Sequence, residues 1–353
     1  MKKLSFKKRA EAKKVIPTRI TNETVAEHRE RILAGGRRFK YPMQYARHRL
    51  VFNTIIVTIA ALVLIAVIGW WQLYPAQSTS TFLYRVTRVL PLPVASVDGE
   101  AVRYSDYLMY FNSSAHYLQQ SEQVNLGSED GKRQVDYIKR KSMDNVVSDA
   151  YAVKLARGLN ISVSNDRVDK VIDDDRSTVN GRISQETYDA SSLSILGWSP
   201  DEYRQDAKSK LIRQDVSYAI DTTAKKKEEM AADALKVNPD TDFDKLATGL
   251  GGQGDAKVTA GVSGFVPRTN RDGGLSVAAA KLEKGQISPV IKTTTGDGYY
   301  FVRLLDKNDT QVSYTFIRIP LTAFSEQLAQ LKKDNKVHEY ISIPSADSLK
   351  VNQ

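Results

Sequence analysis

From Leu50 to Tyr74 no residue is charged, and Ile, Val, Leu and Ala dominate, as in IIVTIAALVLIAVIGWW. As a helix rising 1.5 Å per residue the stretch reaches roughly 37 Å, enough to cross a hydrocarbon core of about 30 Å with some tilt. Trp70, Trp71 and Tyr74 collect at its far end, where amphipathic rings favour the headgroup layer, and Arg47 and Arg49 close the near end. The pattern predicts a transmembrane helix over 50–74. A cleavable signal peptide is the competing reading, but Ala76-Gln77-Ser78 is a poor cleavage site and fifty preceding residues are long for a signal n-region.

Beyond a Ser/Thr/Pro-bearing connector over 75–93, ending in an extended run, the periodicity turns helical. Alternation at Val94, Ser96 and Asp98 leads to a turn at Asp98-Gly99, and Ser105 is read as the N-cap of a helix to about Gln120. Apolar positions at mixed three and four spacing, including Val135, Ile138, Val146, Tyr151 and Leu155, predict a long helix over 132–159 that Gly158 and Asn160 end. Ser164 caps another helix. In GWSPDEYRQDAKSKLIRQDV, Ser199 is the N-cap, Pro200 fills the first helical position and Glu202 completes a capping box, with Tyr203, Ala207 and Leu211 on one face.

After Val216 the elements shorten: an extended VSYAID, helices TAKKKEEMAADALKV and DFDKLATGL, a glycine-rich loop, then SGFVPR, LSVAAAKL, ISPVIKT and GYYFVRLLD. Strands and helices of unequal length with short turns read as a small α+β domain over 216–308. VSYTFIRIP is a further strand, and Leu321–Ile341 a helix with Phe324, Leu328, Leu331 and Val337 at helical spacing, expected to complete the helical module of 94–215 from 310–343. Residues 344–353 are a tail. The fold class is α+β with a single transmembrane helix.

Charge sharpens the picture. Residues 1–50 hold fifteen Lys/Arg against four Asp/Glu, and the rest of the chain carries thirty-six against thirty-seven, so the net +10 belongs to the tail of 1–49. The positive-inside rule then keeps that tail cytoplasmic and places everything after Tyr74 outside. Within the tail, TNETVAEHRERILAG offers a short helix begun at Thr21 or Asn22, and the segment otherwise reads as disordered positive charge. With no cysteine there is no disulfide, thiolate nucleophile or cysteine metal site. Outside the membrane only His116 and His338 remain, too few for metal spacing or a Ser/His/Asp set, so no metal or cofactor is expected. GLGGQG at 249–254 fits a phosphate-cradle spacing but follows a helix, and is read as a loop; Asp173, Asp174 and Asp175 are read as a solvated face. Tyr107, Tyr110, Phe111 and Tyr117 are read as core rather than a client groove.

The run VASVDGE at 94–100 with Ser105 and Tyr107, then ARGLNISVSNDRVDKVID and LGWSPDEYRQDAKSKLIRQ, resembles the amino-terminal helical module of SurA/PrsA-type exported foldases. Phe243, Leu246 and Ala247 in DFDKLA, Gly261, Gly264 and Phe265 in AGVSGFVPR, and Leu282, Gly285, Ile287, Ser288, Val290, Gly298 and Tyr299 resemble a parvulin-type peptidyl-prolyl isomerase. That resemblance implies a peptide-binding pocket from Phe265, Leu275, Ala280, Leu282, Ile287 and Tyr299. It puts the closing-strand histidine at Tyr300 and the first-strand histidine within VSYAID, where none is present; Asp255 is nearest to the family's acid or thiol position, and Asp297 joins Tyr300 as a candidate. Prolyl isomerisation makes no bond and faces a barrier of about 20 kcal/mol from amide resonance, so these losses point to weak or absent activity rather than a different reaction.

The implied function is a membrane-anchored, extracytoplasmic chaperone for unfolded, newly translocated polypeptides, with no nucleic-acid partner. An active isomerase and a membrane-tethered assembly factor with one fixed partner are the alternatives.

Overall fold

The computed structural model describes residues 20–40, 42–178 and 181–345. Expectations for residues 1–19 and for most of the tail after 343 lie outside them. The chain divides into two compact units, Met1–Gln72 and Leu73–Gln353.

The first unit holds α1 (Asn22–Lys40) and most of α2 (Pro42–Leu73). Within α2, Arg49–Leu73 is long and apolar enough to cross a membrane, with mean hydropathy 2.8; most of its side chains are exposed, and Leu73 at its end is buried.

The second unit begins with α3 (Thr81–Val89), β1 (Pro93–Val97), β2 (Glu100–Arg103), α4 (Tyr104–Gln120), α5 (Glu129–Gly158), α6 (Asn165–Asp175), a two-residue hairpin β3 (Ser177–Thr178) and β4 (Gly181–Arg182), α7 (Gln185–Leu196) and α8 (Pro200–Ile220). The connector after the membrane helix is thus partly helical: Ser80 accepts from the Leu83 amide and starts α3, which buries Leu83 and Thr87. The expected start of α4 also moves. Arg103 is its N-cap, because β2 runs straight into the helix, and Ser105 lies buried in the first turn. By contrast Ser164 and the Ser199–Glu202 box cap α6 and α8 as the sequence predicts, the Ser199 amide donating to Glu202 at 2.7 Å.

The sheet lobe follows as α9 (Thr222–Val237), α10 (Phe243–Leu250), β5 (Thr259–Pro267), α11 (Leu275–Ala279), β6 (Ile291–Lys292), β7 (Gly298–Lys307) and β8 (Gln311–Pro320). Its four antiparallel strands run in the order β5-β8-β7-β6. Two expectations are corrected. Residues 216–220, expected as a strand, are the last turns of α8, because Val216 is fully buried and Ser217 donates to the Arg213 carbonyl. The strand pairing with both β5 and β7 is instead β8, so the sheet runs past 308 to Pro320.

Finally α12 (Ala323–Lys333) and β9 (Val337–Glu339) return to the helical module. The helix expected to reach Ile341 stops at Lys333; Asn335 adopts a left-handed backbone and Val337 enters a strand paired with β1, giving the sheet β2-β1-β9. Leu328 and Ile341 bury in the same core as Val94, Val97, Tyr104, Leu108 and Met143. Full burial of side chains of this size stabilises by about 1.5–3 kcal/mol each. Arg140 makes a two-pronged pair with Glu339, at 2.5 and 3.0 Å, that fixes β9 against α5.

Candidate functional site

The turn 293–298 joins β6 to β7 and is organised by one carboxylate. Asp297 accepts from Thr293 Oγ1 at 2.7 Å, Thr295 Oγ1 at 2.5 Å, the Tyr300 hydroxyl at 2.6 Å and Arg318 Nε at 3.0 Å. Short polar side chains bonding back to their neighbours are the chemistry of tight turns. Burial works to raise the Asp297 carboxyl, but the hydrogen bonds from Thr295, Tyr300 and Thr293 and the Arg318 charge outweigh it and hold it at about 2. Burial, with the Asp297 carboxylate that accepts its hydrogen, pushes the Tyr300 phenol well above its ordinary value. The pair is therefore a neutral phenol and a permanent carboxylate through the physiological range.

Strand alternation decides the rest, since successive side chains point to opposite faces. Tyr300, Val302 and Leu304 face the same side as Val312 and Tyr314, and Leu275, Ala279 and Leu282 pack over them with the partly buried Ala280 and Phe316. Phe316 fills the space over Gly261, its cross-strand partner on β5; a Cβ at that glycine would stand 2.8 Å from the ring. Tyr314 donates to Asp272 at 2.6 Å, and Asp272 also accepts from the Ser276 amide at 3.1 Å. The face is closed by the lobe's own side chains.

Of the sequence-predicted residues, Tyr300, Asp297, Leu275, Ala280 and Leu282 come together. Tyr299 and Ile287 pack on the opposite face, with Phe243, Phe301 and Ile317, so they do not share a pocket with Tyr300. Phe265 is exposed on edge strand β5, and Asp255 is exposed in the short turn Gly254–Ala256 before that strand, separated from β7 by β8. Phe316, Arg318, Tyr314 and Asp272 were not anticipated as site residues.

The same turn docks on α8. Gln214 Nε2 donates to the Thr293 carbonyl at 2.6 Å, Tyr218 donates to the Gly298 carbonyl at 2.6 Å, and Lys292 Nζ sits 5.2 Å from the Tyr218 ring centre. Beside this contact lies a groove of about 1050 Å³ bounded by α6, α7, α8 and the start of the turn. Val171, Tyr188, Leu196, Trp198, Tyr203 and Leu211 supply apolar wall, and Arg167, Lys170, Asp174, Lys210, Asp215 and Lys292 supply charge. The Trp198 indole Nε1 is buried with no acceptor among the described residues.

Residues 43–217 match the family model described as SurA-like N-terminal domain. The matched stretch runs from α2 through nearly all of α8, so it contains α6, α7 and α8 of the groove and stops before the sheet lobe. It supports the SurA/PrsA-type family. No curated protein and no solved structure matches the chain.

Inside the SurA-like module one polar cluster ties three helices. The Tyr110 hydroxyl of α4 lies 2.8 Å from Asp149 of α5 and 3.1 Å from the buried Asp206 of α8. Arg213 pairs with Asp149 at 2.9 Å and Lys210 with Asp206 at 2.8 Å, which supplies the countercharge that buried carboxylates need. Burial still pushes the Asp149 carboxyl up against the pull of Arg213. Tyr110 thus packs against the core, partly buried, with a polar task; its ring also meets Trp198 edge-on at 6.3 Å.

Proposed function

We propose that the protein is a membrane-anchored, extracytoplasmic chaperone that holds unfolded segments of exported polypeptides in the groove of its SurA-like module. The observation that carries this reading is the groove itself: an aromatic and aliphatic wall rimmed by charges of both signs. Apolar side chains of an extended segment would cover the wall.

Anchoring is supported by the length and apolarity of Arg49–Leu73, and a cytoplasmic tail by the positive charge that precedes it. A tethered chaperone works at high effective concentration near emerging chains. In this reading the sheet lobe is a degenerate parvulin-type domain that braces the groove and offers a second peptide surface without turning over prolyl bonds. Its support is the commitment of Tyr300 to Asp297 and the filling of the sheet face by Phe316.

The test uses the full chain in lipid nanodiscs and several unrelated unfolded proteins. Aggregation should be suppressed, and Ala207→Trp, which fills the groove, should weaken suppression several-fold with the helical circular dichroism retained. Protection of one protein alone would favour a dedicated assembly factor. Prolyl-tetrapeptide turnover above buffer that falls in both Tyr300→Phe and Asp297→Ala would restore the isomerase reading.

A further inference from the structure

Helix α3 turns apolar side chains outward. Phe82 is 72% exposed, Val89 80% and Leu90 52%, while Leu83 and Thr87 bury against the core. Phe82, Arg85 and Val89 follow three and four apart and share one stripe of the helix. From Leu50 to Val97 the only charged residues are Arg85 and Arg88, so this stretch is apolar and cationic with no acid. Its attachment is tight. Leu73, the last residue of α2, is buried in the same core as Leu83, and its carbonyl accepts the Tyr104 hydroxyl at 2.6 Å. Seven residues separate Leu73 from Thr81, a span of no more than about 28 Å even fully extended.

We propose that α3 lies on the outer leaflet of the bilayer as an interfacial helix, with Phe82 and Val89 at the headgroup–acyl boundary and Arg85 on an anionic lipid phosphate. This rests on the reading that Arg49–Leu73 crosses the membrane. Continuity decides the occupant: a helix that shares a core with Leu73, the last residue of the span, and follows it by seven residues is presented to that membrane before any dissolved partner. An apolar stripe carrying a cation matches the chemistry of that layer. The bilayer contact would fix how the SurA-like module stands over the membrane.

The chain contains no cysteine, so single-cysteine variants report one position each. Full-length Phe82→Cys, Val89→Cys, Ile59→Cys in the span and Lys236→Cys on α9 are labelled with a small fluorophore in nanodiscs of mixed zwitterionic and anionic lipid. Quenching is measured with iodide and with a spin label carried near the lipid headgroup. Labels at 82 and 89 should be quenched by the lipid probe and be several-fold less accessible to iodide than the label at 236. Arg85→Glu should reduce lipid quenching at 82. Iodide access at 82 and 89 equal to that at 236, with the label at 59 shielded from iodide, would overturn the proposal and leave the span intact. Exposure of 59 itself would defeat the span reading and the proposal with it. Shielding at 82 without lipid quenching would assign the face to a second copy or a client, and also overturns it.

Discussion

Tyr300 gives its phenolic hydrogen to Asp297, three residues earlier, across 2.6 Å, and the two side chains clasp the turn that meets α8. Tyr300→Phe removes one charge-assisted hydrogen bond and keeps the ring against Phe316. It should lower stability by about 1.5–3 kcal/mol, read as a shifted urea midpoint, with prolyl isomerisation at the buffer rate before and after. An unchanged midpoint together with lost turnover would give Tyr300 a catalytic role.

Asp297 also sets a pH window. Its carboxyl is held at about 2 in the folded chain, below the ordinary value of 3.8. A depressed acid contributes stability that is present above the unfolded value and is lost as pH falls through the folded one. Unfolding curves should therefore lose about 1 kcal/mol between pH 5 and pH 2, a figure already reduced for the partly open flank of the carboxylate. Asp297→Asn should flatten that part of the profile; a slope identical to that of the parent chain would remove Asp297 as its source.

Asp221 caps two helices at once. One oxygen accepts from the Ala224 amide of α9 at 2.8 Å, and the other from Thr322 and Ala323 at the start of α12, at 2.7 and 3.1 Å. Asp221→Ala should cost about 2–4 kcal/mol, more than a single cap, because it orphans a buried amide at the start of α9 and two partly buried ones at the start of α12. Hydrogen exchange should quicken in the first turns of α9 and α12 together. Exchange that quickens in α9 alone would show that α12 does not depend on this cap.

Gly296 has a left-handed backbone at φ 71°, and an added Cβ would stand 3.0 Å from Gln214 Cγ. Gly296→Ala should destabilise by about 1–2 kcal/mol. In the background of Gln214→Ala the cost should shrink, because the crowding partner is gone while the backbone strain remains. A double-mutant cycle with strictly additive energies would refute contact between the turn and α8.

Much of this organisation is legible in the residues. The Ser199-Pro200-Asp201-Glu202 start of α8 is local chemistry, and the charge-free run before Tyr74 is composition. The losses occur where tertiary contact overrules local preference. Val216 to Ile220 looks extended, yet burial of Val216 and docking of Tyr218 on Gly298 hold it in the helix. Val337 continues the helical spacing of α12, yet pairing with β1 draws it into a strand. Phe316 gave no warning as a site residue, because an apolar residue in a strand looks like any other until the opposing Gly261 shows what its ring covers. The adjacent tyrosines were readable by alternation alone: Tyr299 and Tyr300 on one strand cannot share a face.

The closing strand β9 makes the folding of this protein a matter of timing. The helical module takes its first strands from residues 93–103 and its third from residues 337–339, with Leu328 and Ile341 as part of its interior. During synthesis residues 93–103 emerge before their sheet edge and core can be filled by residues 328–341. The finished module is thus a clasp between distant segments of the folded unit, and only a chain synthesised past Ile341 can fasten it.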